Sequence, residues 1–286
     1  MSGSPLLTRL YTLQSSSGLI ALLREQPQWV DLVRAWALQQ GPPLAPAEMA
    51  LEQVVTELER PPAGLDDLPR RRALAERALA LVSAATHPAL WAQMKAELAG
   101  NLLFVPTGVA DENIEAAIEH LQQALAVLAP QGAPELWARC QYNLGQAYTL
   151  RRRGDREENR LQALLHYERA LPALVSPTAR EVAVQARLAA AELHLRAHLV
   201  RHAPGPRRAE MLAARDHYRA ALLLIDRAEA PEEWANIQAT LGDIALQLGN
   251  KAAARAYFAS ALEVFTATDY PPAHAELAAR QRQAQA

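Results

Sequence analysis

What most constrains this chain is an internal repeat. The pattern Ala-x3-(aromatic or Leu)-x2-Ala-Leu occurs in four copies: Ala117, Leu121, Ala124, Leu125; Ala163, Tyr167, Ala170, Leu171; Ala214, Tyr218, Ala221, Leu222; and Ala254, Phe258, Ala261, Leu262. Each copy follows a segment carrying Leu and then a small residue: Leu98-Ala99, Leu144-Gly145, Leu188-Ala189 and Leu241-Gly242. Spacings of three and four residues belong to one face of a helix, so each unit reads as two helices. Small residues on facing sides let the pair approach closely, and the aromatic or Leu fills the space beside the crossing. Such a hairpin cannot bury its apolar face alone and must stack on the next. Half of the 286 residues are apolar yet only 5% are aromatic, because Ala and Leu, both helix formers, dominate.

Leu144, Gly145 and Tyr148, with Ala254, Phe258 and Ala261, spell the Leu-Gly-x2-Tyr and Ala-x3-Phe-x2-Ala signatures of paired helices. In this the sequence resembles the tetratricopeptide repeat (TPR) family over roughly residues 69 to 270. The resemblance implies an all-α, right-handed superhelical solenoid of stacked antiparallel helix hairpins. From Gly242 to Ala254 is 12 residues, the ordinary TPR spacing, but Ala99 to Ala117 and Gly145 to Ala163 are each 18. The added residues carry Gly154-Asp155-Arg156-Glu157-Glu158-Asn159, echoed by Asp111-Glu112-Asn113, and Pro-Glu-x-Trp opens first helices at Pro134 and Pro231. This is similar to long-loop bacterial TPR arrays that often accompany CHAT-domain, caspase-like peptidases. The third unit departs, with Glu181 in the Trp position, Ala189 for Gly, and a gap of 25 residues containing Ala203-Pro204-Gly205-Pro206. A longer, Pro-stopped connection is expected there.

Residues 1–68 read as an N-terminal helical cap or degenerate repeat, with apolar spacing in Leu19 to Leu23, Trp29 to Leu38 and Met49 to Leu58. Residues 69–271 form the array of about four hairpins. Residues 272–286 read as a C-terminal capping helix.

In TPR stacks the first helix of each hairpin lines a concave groove. The resemblance places there Gln93 and Glu97; Arg139, Tyr142, Asn143 and Gln146; Arg187, Ala190 and His194; and Asn236, Thr240 and Asp243. These imply a non-catalytic scaffold or adaptor that binds another protein or peptide, regulating a bacterial signalling or peptidase partner. Asn143 and Arg187 match two positions of a carboxylate-clamp pattern, but Ala96, Ala183 and Gly100 fill the rest, which argues against a chaperone-tail receptor. The alternative is a small-molecule or signal-sensing module with its ligand inside the superhelix, near the irregular third unit.

Chemical motifs are sparse. His194, His198 and His202 share one helix face, where two could chelate a metal, but no Cys or carboxylate stands at ligand spacing beside them. Neither a metal nor another cofactor is expected. Cys140, the only cysteine, sits mid-helix between Trp137 and Leu144 without a nucleophile motif, as a small packed thiol does. Phosphate-loop, dinucleotide, nucleophile-elbow and zinc-protease signatures are missing, so no enzyme activity is expected. Arg151-Arg152-Arg153 reads as a cation cluster at a helix C-terminus, and Arg153-Gly154-Asp155 as a turn followed by an N-cap.

A formal charge of −2 with interspersed signs gives no reason to expect nucleic acid or an anionic membrane as partner. Absence of a signal-like leader and of a long apolar run points to the cytoplasm. Only Lys95 and Lys251 among 29 basic residues are lysine, which fits GC-rich bacterial coding. A homodimer, packed edge to edge along long helices, is a further expectation.

Overall fold

The computed structural model describes residues 50–60, 62–104, 109–200 and 204–285. The apolar spacings at 19–23 and 29–38 lie outside these residues, as does His202. Among the described residues there are eleven α-helices and no strand. They are α1 (Leu51–Glu59), α2 (Leu68–Leu81), α3 (Pro88–Phe104), α4 (Ala110–Val127), α5 (Pro134–Leu150), α6 (Arg156–Ala170), α7 (Arg180–Val200), α8 (Pro204–Leu222), α9 (Pro231–Gln247), α10 (Lys251–Leu262) and α11 (Pro271–Gln283).

Five of these helices begin on proline. The first-turn N–H groups of a helix have no intrahelical acceptor, so a residue without N–H loses nothing there. At the start of α6, Asp155 caps instead, its Oδ1 accepting from the Glu158 N–H at 2.9 Å, while Gly154 turns the chain at φ 79°. Asp111 differs from this echo: it lies inside the first turn of α4, whose N-cap is Val109. The expected long connection in the third unit is not found. Helix α7 runs 21 residues and α8 starts at Pro204, so the extra length is helical and only 201–203 separate the two. Proline at the first and third positions of α8 is compatible with a helical first turn, which is why a Pro-Gly-Pro run did not lengthen the loop.

Each helix packs on its chain neighbours, most extensively within α3/α4, α5/α6, α7/α8 and α9/α10. Successive pairs join through α4 with α5, α6 with α7 and α8 with α9, and also through α3 with α5 and α5 with α7. The first helices of the first three pairs therefore lie side by side.

Two crossings show why glycine is needed. A Cβ on Gly145 would come within 2.6 Å of the Tyr167 ring, and one on Gly242 within 2.5 Å of the Phe258 ring. Each ring is seated against bare backbone, and both are almost wholly buried. Ahead of the pairs, Arg71 of α2 is itself buried and holds α1 in place. Its guanidinium donates to the carbonyls of Leu58 (2.8 Å) and Arg60 (2.7 Å) at the C-terminal end of α1, and to Glu97 of α3 (3.1 Å). At the other end α11 buries Leu277, with Ala284 just beyond it, against the Phe258 and Phe265 cluster. A helix is therefore present where the C-terminal cap was expected.

Candidate functional site

The residues expected to line a groove have different surroundings. Four of them, Gln93 and Glu97 of α3 with Arg139 and Asn143 of α5, border a single cleft of about 430 Å³ together with Arg71, Asn101 and the apolar Leu58, Leu68 and Phe104. Side-by-side packing of α3 and α5 creates it. Glu97 stands between two arginines, 3.1 Å from Arg71 and 3.5 Å from Arg139. Arg71 is enclosed, whereas the Arg139 side chain is 56% exposed and free to reach outward. Gly100 also borders the cleft, and a Cβ there would meet Asn143 Nδ2 at 3.6 Å, an ordinary contact. The cleft can offer guanidinium and amide donors beside an apolar shelf, a combination suited to a peptide backbone or an acidic side chain.

Next along α5, Gln146 Nε2 donates to the Tyr142 hydroxyl at 2.9 Å, and the Tyr142 ring lies 5.9 Å from that of Tyr167. Burial, then the nearby Glu181 charge, raises the Tyr142 pKa, so its hydroxyl stays neutral. Arg187 is partly buried, and its Nε has no hydrogen-bond partner among the described residues. Ala190 is fully buried, which corrects its expected groove position: the alanine is small enough for the packing of the second and third pairs to close over it.

His194 turns toward α8 and not outward. Its Nδ1 lies 2.6 Å from Glu210 Oε2, and its ring stacks on His217 at 5.6 Å. His217 Nε2 in turn lies 2.9 Å from Glu168 of α6, whose carboxyl is held below its usual range chiefly by that hydrogen bond. The side chain of His198 lies outside the described residues, so the proposed stripe of three imidazoles is not described as a whole. Among the described residues no group of three or more His, Cys, Asp or Glu side chains is arranged to hold a metal ion.

At the far end Asn236 is exposed, the Thr240 hydroxyl donates to the Asn236 carbonyl at 3.0 Å, and Asp243 meets Arg280 of α11 at 2.8 Å. The last groove position is thus occupied by the chain's own C-terminal helix. Burial raises the Asp243 pKa even with Arg280 opposing it.

Sequence reasoning missed Arg71, Asn101, Glu168 and Glu210. It also missed that the histidine three residues after the repeat alanine has a partner in each of the first three units. His120 Nδ1 meets Lys95 Nζ at 3.1 Å, His166 Nδ1 meets Gln141 Oε1 at 2.6 Å, and His217 meets Glu168. The repeat alignment could have found the first two, because Lys95 and Gln141 also stand at equivalent positions. Cys140 is fully buried and its thiol is pushed up to about 12 by that burial, which suits packing and not nucleophilic attack. No described helix is long and apolar enough to cross a membrane. Compared with protein-family models and with curated proteins, the chain matches none.

Proposed function

We propose that this chain is a TPR-type array, a right-handed stack of antiparallel hairpins, and that it serves as a non-catalytic scaffold or adaptor for another protein or peptide. The carrying observation is the cleft between α3 and α5, where four residues chosen from the repeat register border one opening with an exposed Arg139 at its rim. Contacts of α3 with α5 and of α5 with α7 are the side-by-side arrangement of first helices that such a groove requires. The long-loop resemblance makes a bacterial signalling or peptidase chain the class of partner, in a cytoplasmic setting.

Arg139 and Asn143 are the residues to test, because neither is seated in the core. Tyr142 is a poorer choice, since it packs on Tyr167 and its loss would disturb the fold. A partner retained by the wild-type chain from its native lysate should bind Arg139→Ala/Asn143→Ala at least about tenfold more weakly, the scale of losing a central arginine anchor. Equal retention by the folded double variant would sink the groove reading.

A further inference from the structure

The structure carries a second opening, which shares no lining residue with the α3/α5 cleft, at the turn between α5 and α6. It is a cavity of about 670 Å³ whose remaining wall is the C-terminal half of α7. That volume lies within the range of small-molecule sites. Arginines 151, 152, 156, 160 and 196 border it, against two acids, Asp155 and Glu157. Both acids have other tasks: Asp155 caps α6, and both oxygens of Glu157 accept from Arg160. Arg151 is held bidentately by Glu115 at 2.8 Å, and Arg196 meets Glu192 at 3.2 Å.

Three cationic donors are left over. Arg152 and Arg156 are exposed and form no ion pair among the described residues. The Arg160 side chain is only 9% exposed, yet its Nη1 has no hydrogen-bond partner among the described residues, although Nε and Nη2 are engaged. Apolar residues line it as well: Leu193 and Ala197 of α7 and an exposed Leu150 at the end of α5. A chain of net charge −2 thus concentrates guanidinium groups around one cavity that apolar residues also line.

We infer that this cavity binds a small organic anion, a phosphate or carboxylate head on an apolar body, with Arg152, Arg156 and Arg160 gripping the head and Leu150 and Leu193 holding the body. Guanidinium forks match both oxyanions bidentately, so the shared chemistry is the planar or tetrahedral oxyanion. The inference does not rest on the peptide-groove reading, whose residues lie elsewhere.

The test is calorimetric titration of the full chain, at low salt, with 1-naphthyl phosphate, 1-naphthoate and inorganic phosphate. One or both naphthyl anions should bind saturably at one site with a Kd below roughly 1 mM, and inorganic phosphate at least about tenfold more weakly. Arg152→Glu/Arg156→Glu, which alters only exposed side chains and should keep the wild-type melting temperature, should weaken the naphthyl anion at least about tenfold. Leu150→Asn should narrow the preference for the naphthyl anion over inorganic phosphate. Absence of saturable binding by either naphthyl anion would overturn the site, as would unchanged affinity in the double-glutamate variant. Binding of inorganic phosphate as tight as that of both naphthyl anions would overturn the amphipathic ligand class.

Discussion

The second and fourth helix pairs differ from the third at one atom, and much else follows. In α5/α6 and α9/α10 an aromatic ring lies on a helix that lacks a Cβ at Gly145 or Gly242, and both glycines are buried. In α7/α8 the equivalent residue is Ala189. It is only partly buried, and Tyr218, the matching aromatic, is 7% exposed where Tyr167 is 1% and Phe258 is 0%. A ring and a Cβ cannot share the 2.5–2.6 Å available at the glycine crossings, which fits the slightly greater exposure of Tyr218 in the third pair. Alongside that crossing lies the His194, Glu210, His217 and Glu168 network, whose paired groups offset the cost of enclosing polar atoms between helices.

Breaking the close crossing should have the largest effect. Phe258→Ala removes a fully buried ring and should cost about 3–5 kcal/mol, read by urea denaturation. Tyr218→Ala in the third pair should cost clearly less, and an equal loss would show the two rings to be equally well packed. Gly242→Ala comes next. It adds a methyl into the ring, and overpacking of about 1–3 kcal/mol outweighs the roughly 1 kcal/mol that alanine gains in a helix. Gly100→Ala is the internal control, since its Cβ meets nothing closer than 3.6 Å and it should raise stability by up to about 1 kcal/mol.

The two regions should also titrate differently. His166 in the second pair stacks on Tyr148 and is held down to about 4 by burial, with the Arg169 charge adding to it. Its folded pKa lies below the unfolded value near 6.5, so the unfolded chain takes the proton first. Stability is therefore unaffected by this group above about pH 6.5, declines as pH falls toward 4, and levels off below. Because the ring is partly exposed, the loss should be about 1–2 kcal/mol and not the full value of the shift. His166→Gln should flatten the melting-temperature profile across that window. Glu168, paired with His217, works on the other side. Its lowered pKa contributes stability above the ordinary carboxylate value, and that is lost as pH falls through the folded value. Glu168→Gln should accordingly weaken the protein at neutral pH and matter little in acid. At the α6 cap, Asp155→Ala should cost about 1 kcal/mol, read by urea denaturation.

Helix identity was legible from the amino acids because small and large apolar residues recur at helical spacing, and proline and Asp155 mark starts by removing or satisfying first-turn N–H groups. The close crossings at Gly145 and Gly242 were legible for the same reason: a missing side chain opposite a repeated aromatic has a single geometric use. The third connection was misread because proline signals a helix start and a helix stop equally well, and neighbouring packing chose between them.

Groove positions could be numbered from the repeat register, yet numbering does not say what a side chain meets. His194 found Glu210, Asp243 found Arg280, and Ala190 was sealed beneath packed helices, while Gln93, Glu97, Arg139 and Asn143 were left around an opening. Buried Arg71 and the cavity bordered by arginines were likewise invisible, because the partners of Arg71 lie 11 to 26 residues away along the chain and α7 meets the turn between α5 and α6 only in the tertiary fold. Local pattern, set by the 3.6-residue period and by the chemistry of helix ends, determined the elements and their pairing by itself. Which charges meet, which are enclosed and which remain free is a property of distances between helices, and only the tertiary structure decided it.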